Sequence, residues 1–271
     1  MKPIHIFIAL IALSVFLFAA DSGNKETEKI PNVDEIVNKA NLVAYYQAND
    51  GKAKVSMTIT DKKGQTRERE FIILRKDLAD GGDQHYYVYF LKPADVRKMV
   101  YLVHKHTAQD KDDDRWLYLP ALDLVKRIAA GDKRTSFVGS DFLYEDVSGR
   151  SLEEDSHELI ETTENFFIVK NVPKDPDNVE FTYYNVFIDR NNFIPMKMQY
   201  YDNQGSLYRT IEAQGVELIQ KFPTVVKALV TDLKTGSKTE MQFSDVKYDI
   251  GLDDEIFTER YLRRPPREAI R

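Results

Sequence analysis

The stretch AKVSMTITDKKGQTREREFIILR, Ala53 to Arg75, reads as two strands and a turn. Val55, Met57 and Ile59 alternate with Lys54, Ser56 and Thr58, the period of two that sends every second side chain to one face of a sheet. Asp61–Gly64 (DKKG) has turn chemistry, so TREREFIILR returns beside the first strand as its hairpin partner. The habit continues along the chain. HYYVYFL (85–91), KMVYLVHKH (98–106) and RWLYLP (115–120) follow, rich in Tyr, Phe, Val and Leu. The second half repeats it with ELIETTE (158–164), FFIVKNV (166–172), EFTYYNVFID (180–189), IPMKMQYY (194–201), LYRTIEA (207–213), TVVKALVTD (224–232) and TEMQFSDVKY (239–248). Turns fall at Asp202–Gly205 and Lys234–Gly236. Short strands with hardly any helix between them predict a mainly β fold built on one meandering antiparallel sheet.

A helix is expected before the strands. Asn32 can cap it, Asp34 and Glu35 suit its first turn, and Val33, Ile36, Val37, Ala40, Val43 and Ala44 recur at helical spacing. Several strands are apolar on both sides: Phe181, Tyr183 and Phe187 face one way, and Tyr184, Val186 and Ile188 the other. A sheet with one wetted face alternates more cleanly. Either both faces are covered by protein, or one lines an apolar cavity, or the aromatic residues are half-buried at a solvated surface.

The 271 residues carry 42% hydrophobic side chains, enough for one sizeable core, and nothing resembling a linker divides them after residue 32. The organisation expected is a signal peptide at 1–20, a polar linker at 21–31, one domain at 32–262 and an irregular basic tail at 263–271. MKPIHIFIALIALSVFLFAA has a Lys, an apolar run and a small-residue end, the pattern of an exported leader cleaved near Ala20. The absence of cysteine rules out disulfides, thiolate metal sites and thiol nucleophiles, and with the leader it points to the periplasm. A net charge of −6 with both signs interspersed argues against nucleic acid as a partner.

Catalytic signatures are weak. In SDFLYED, Asp141, Glu145 and Asp146 could act as a carboxylate cluster, yet no nucleophile accompanies them, and Ser140 and Asp141 serve equally well as a helix cap. His104 and His106 share a strand face with His85 in reach, two zinc ligands without a third. Asp110, Asp112 and Asp114 match the first positions of a calcium loop, but Arg115 and Ala121 occupy positions that require Gly and Glu. No phosphate loop or nucleophile elbow occurs. The expectation is a protein without catalytic residues, metal or cofactor. Lys126, Arg127, Lys133 and Arg134 form a basic cluster ahead of the acidic block.

The run WLYLPALDLVKRI followed by SFVGSDFLYEDVS, with FLKPADVRKMVYLV upstream, resembles the LolA-like outer-membrane lipoprotein-sorting proteins, in their exported, exporter-associated branch. The likeness spans roughly Ile30 to Arg260. It implies a strongly curved antiparallel half-barrel closed by a few helices, with a hydrophobic cavity for lipid or lipoprotein acyl chains. It also implies cargo handover in the periplasm involving an inner-membrane exporter of the resistance-nodulation-division type. The chain departs from the pattern at Lys98 and Met99, where a Gly is expected after the basic turn.

On this basis Trp116, Leu117, Tyr118 and Leu119 are assigned to a cavity wall or core strand, and Phe142, Leu143 and Tyr144 to a plug at the cavity mouth. Asp141, Glu145 and Asp146 would pin the plug by capping and by pairing with Lys126, Arg127 or Arg134. The expected function is that of a monomeric, non-catalytic periplasmic carrier of acyl chains. Two alternatives stand beside it: an exporter adaptor that carries nothing, its cavity filled by its own aromatics, and a hydrolase using the carboxylates in a wet cleft.

Overall fold

The computed structural model describes residues 30–108 and 111–270. The expected leader at 1–20 and most of the linker lie outside the described residues. Asn32 to Arg271 form one compact unit.

That unit begins with α1 (Val33–Tyr45), and the Asn32 side chain accepts a hydrogen bond from the Glu35 amide, as the capping pattern requires. Its apolar stripe buries Ile36, Val37 and Ala40. Six strands follow: β1 (Asp50–Thr60), β2 (Thr66–Asp77), β3 (Gln84–Lys92), β4 (Val100–Lys105), β5 (Asp114–Leu119) and β6 (Leu124–Arg127). A long segment, 128–154, carries the short helix α2 (Tyr144–Ser148). The second meander comprises β7 (Asp155–Thr162), β8 (Phe166–Pro173), β9 (Tyr183–Asp189), β10 (Pro195–Tyr201), β11 (Leu207–Ile219), β12 (Phe222–Asp232) and β13 (Ser237–Tyr248).

All thirteen strands join one antiparallel, open, curled sheet, in the order β6-β5-β4-β3-β2-β1-β13-β12-β11-β10-β9-β8-β7. The half-barrel expected from the resemblance is therefore present. The two meanders meet where β1 pairs with β13, for example Met57 with Met241. Segment 128–154 links one sheet edge to the other and runs across the inner face: Phe137 packs on Phe71 and Phe90, and Asp141 reaches Thr239 on β13.

The apolar strands are explained by cover on both faces. Along β3, Tyr86, Val88 and Phe90 join the inner core beneath segment 128–154, while Tyr87 and Tyr89 join an outer cluster. The outer cluster is roofed by Leu252, Ile256, Phe257, Leu262 and Ala269. The expected irregular tail is thus corrected. It folds into α3 (Arg260–Arg263) and α4 (Arg267–Ile270), because Leu262 and Ala269 have the outer face of β2–β5 to bury against. On β9 the third reading holds for one side: Tyr184, Val186 and Ile188 are buried, whereas Tyr183 is half-buried and stacks on Tyr201 at 4.6 Å. The turn after β3 closes without glycine. Lys98 itself takes φ +71° and its amide donates to the Phe90 carbonyl, so the departure from the family pattern changes the residue and leaves the turn intact.

Candidate ligand cavity

Between α1, segment 128–154 and the inner face lies a cavity of about 340 Å3, and beside it one of about 160 Å3. The larger is apolar on most sides, with Ala53, Phe71, Val88, Ala228, Met241 and Phe243 contributed by β1–β3 and by β12 and β13. The smaller is bounded by Val37 and Ala40 of α1 and by Val169, Tyr184 and Val186 of the second meander, and Glu145 and Arg150 add a polar wall. Ala44, Tyr45, Phe142, Asp146, Pro195 and Met198 line both, so the two cavities adjoin across this set. Ala44 is exposed although it belongs to the apolar stripe of α1, which places open space rather than core against that position.

The rim at the end of α1 is tied to the sheet by main-chain carbonyls. Arg75 donates to the carbonyl of Tyr45, one of those the helix terminus leaves open, and to the carbonyls of Gln47 and Ala48 just beyond it, while Gln47 Nε2 donates to the carbonyl of Pro223 at 2.6 Å.

The residues singled out from the sequence separate into three places. Trp116 and Tyr118 face the outer cluster, while Leu117 and Leu119 face the inner core, so β5 alternates; none of the four lines either cavity. Phe142 is the partition between the cavities, only 8% exposed. Leu143 is partly buried and Tyr144 is buried against Tyr101 and Phe137, with ring centroids 5.1 and 5.6 Å away. Segment 140–146 is therefore an interior strut as well as a wall.

Of the expected pins, Arg134 does pair with Glu145. Glu145 is 2% exposed and also meets Arg150 at 3.3 Å and Lys133 at 3.4 Å. Burial alone would raise its carboxyl pKa, but the three cations override that and hold it below the usual carboxylate range. Asp146 does not pair with the basic cluster; it closes the turn into α2 by accepting from the Leu143 amide at 2.7 Å and takes an ion pair from Arg209 on β11. Among the described residues Asp141 pairs with no cation, accepting instead from the hydroxyls of Ser237 and Thr239 on β13. Lys126 and Arg127 stand apart because β6 is the outermost strand: Lys126 is exposed, and Arg127 pairs with Asp114 and lies over Trp116.

Residues not singled out complete the site. Lys105 on β4, 4% exposed, donates to the carbonyls of Ser148 and Gly149 at 2.7 and 3.2 Å, and burial pushes its pKa down to about 8. Tyr45 ends α1 beside it. An aromatic at the close of an amphipathic stripe and a Gly four residues after Glu145 are the only sequence signals either position offered. The histidines do not gather into a metal centre. His85 and His104 stack at 4.1 Å on the outer face, His106 sits between Asp83 and Asp114, and among the described residues no group of three or more His, Asp or Glu is placed to hold a metal. Asp112 and Asp113 are engaged by Arg115.

A curled sheet with helices and a crossing segment on its inner face is the LolA-like fold. Residues 82–264 match a protein family described as uncharacterized, and the chain belongs to that family. It is similar to the crystal structure of a DUF1329 family protein from Desulfovibrio piger, with 28% identity and a TM-score of 0.77 over 84% of this chain and 96% of that one. A domain from Vibrio parahaemolyticus named for outer membrane lipoprotein sorting gives 28% identity and a TM-score of 0.77, over 86% of this chain and 98% of that one. A LolA superfamily protein from Nitrosomonas europaea, at 18% identity and TM-score 0.66 over 86% and 100% of the two chains, shares the fold. No curated protein matches the chain in sequence.

Proposed function

We propose that the protein is a non-catalytic carrier that shelters an acyl chain in the larger cavity and passes it between membrane partners in the periplasm. The observation that carries this reading is the open apolar space of about 340 Å3 on the inner face, within the range of about 300–1,000 Å3 common for ligand pockets. The adaptor alternative expects that space to be filled by the protein's own aromatics, and here it is not. The surroundings of the acidic block also favour binding over hydrolysis. Glu145 is neutralised by three cations and Asp141 is held by two hydroxyls, which leaves neither disposed to activate water. An exporter of the resistance-nodulation-division type is the handover partner that the family resemblance implies.

Burying one methylene contributes about 0.8 kcal/mol, close to a fourfold change in affinity. A series of 1-monoacylglycerols of increasing chain length, read by displacement of a fluorescent apolar probe, should gain about that factor per carbon until the cavity is full. Affinity independent of chain length would overturn the proposal.

A further inference from the structure

Tyr45 occupies an unusual position for a phenol. Its ring lies against the Gly149 backbone so closely that a Cβ on Gly149 would come within 2.5 Å of Tyr45 Cζ, and the Lys105 ammonium sits 5.1 Å from the ring centroid. Gly149 itself has φ +78°, so the glycine both frees the backbone and makes room for the ring. The ring is therefore held in place, yet its hydroxyl forms no hydrogen bond among the described residues while Tyr45 lines both cavities. Burial, then the charges of Asp146, Tyr200 and Glu145, push its pKa upward, so at neutral pH the group is an O–H donor. Asp146 lines the same junction. Its Oδ2 is engaged by the Leu143 amide and Arg209, and its Oδ1 accepts nothing from the described residues. Tyr45 and Asp146 both line the junction of the two cavities, which brings a held donor and an acceptor with one open oxygen to the same boundary.

We propose that the Tyr45 hydroxyl and the Asp146 carboxylate form a subsite for an amide linkage at the head of the bound acyl chain. The inference rests on the carrier reading and narrows its cargo. Tyr45 donates to the amide carbonyl and Asp146 accepts the amide N–H, a complementary pair that an ester meets only by half. The selected class is an N-acylated amine.

Three uncharged probes with one chain length separate the possibilities: N-methyldodecanamide, N,N-dimethyldodecanamide and methyl dodecanoate, each measured by displacement of a fluorescent apolar probe from the full-length protein. The secondary amide should bind about tenfold tighter than the other two, because only it satisfies the carboxylate. Tyr45→Phe, which removes one oxygen and keeps the packed ring, should weaken the amides and the ester about fivefold through the lost carbonyl contact and preserve the N–H preference. Asp146→Asn should reduce that preference, and Tyr45→Phe provides an independent reading where this variant is too unstable to use. Equal, strong binding of all three probes to the wild type overturns the subsite and leaves the carrier reading standing. Absence of binding for all three overturns both.

Discussion

Ala44→Trp separates a carrier from a merely LolA-shaped protein. Ala44 lies in the last turn of α1, is exposed and lines both cavities, so a larger side chain there meets open space rather than packed atoms. The intrinsic helical cost of Trp relative to Ala is below about 0.7 kcal/mol, which moves Tm by no more than about 3 °C in a chain of this size. An indole covers about 150–250 Å2 of surface. At about 25 cal/mol per Å2, an indole lying wholly in the cavity denies a ligand about 4–6 kcal/mol of burial. A third of the lower figure is already about a tenfold loss of affinity. Displacement of a fluorescent apolar probe by a monoacylglycerol should therefore weaken at least tenfold in Ala44→Trp, with thermal unfolding nearly unchanged, while Ala44→Ser stays within about twofold of wild type. Unaltered affinity in a stably folded Ala44→Trp protein would show that acyl chains do not enter between α1 and the sheet.

Other expectations concern the interior charges. Glu145→Gln leaves Arg134, Arg150 and Lys133 facing a neutral amide in a nearly water-free site, and should cost about 3–5 kcal/mol in a denaturant titration. Because the Glu145 pKa is depressed in the folded state, its contribution is present above the unfolded value of 4.5 and is lost as pH falls through the folded value; Glu145→Gln should lose less stability than wild type over that acidic interval. Lys105 gives a slope of the same sign at the alkaline end, although here it is the neutral form that the fold favours. With its pKa lowered from 10.5 to about 8, the unfolded chain holds the proton longer, so this residue makes stability rise as pH climbs above 8, and Lys105→Met should abolish that rise in chemical denaturation at pH 7 to 10. Gly149→Ala combines a Cβ 2.5 Å from Tyr45 Cζ with a backbone at φ +78°, and should both lower Tm and weaken ligand binding by displacing the Tyr45 ring.

Much of the architecture was legible in local pattern. Val55, Met57 and Ile59 alternate in the sequence and are 0%, 1% and 3% exposed in the structure, and Asn32 caps the helix where the residue order placed it. Period alone tells which side chains share a face, but not which face curls inward. Trp116 to Leu119 therefore read as a unit in the sequence, although Leu117 and Leu119 turn toward the inner core and Trp116 and Tyr118 toward the outer cluster. Charge partners were legible only within short range. Arg134 and Glu145, eleven residues apart, meet as one of several pairings the sequence leaves open, whereas Asp146 meets Arg209 from a strand 63 residues away, a contact set by the sheet order. The tail misled because its charged surface, Arg260, Arg263, Arg264 and Arg267, is conspicuous while its anchors, Leu262 and Ala269, are few and small. The cavity itself is a property of closure: Ala44, Ala53 and Ala228 look like ordinary alanines until three distant elements bring them around one empty space.

Native mass spectrometry of the protein exported by cells and purified without detergent tests the central claim most directly. The carrier account predicts a population with additional mass that extracts into organic solvent and, on fragmentation, yields an acylated molecule. A single unliganded mass that persists after incubation with phospholipid vesicles and with N-acylated probes would contradict it.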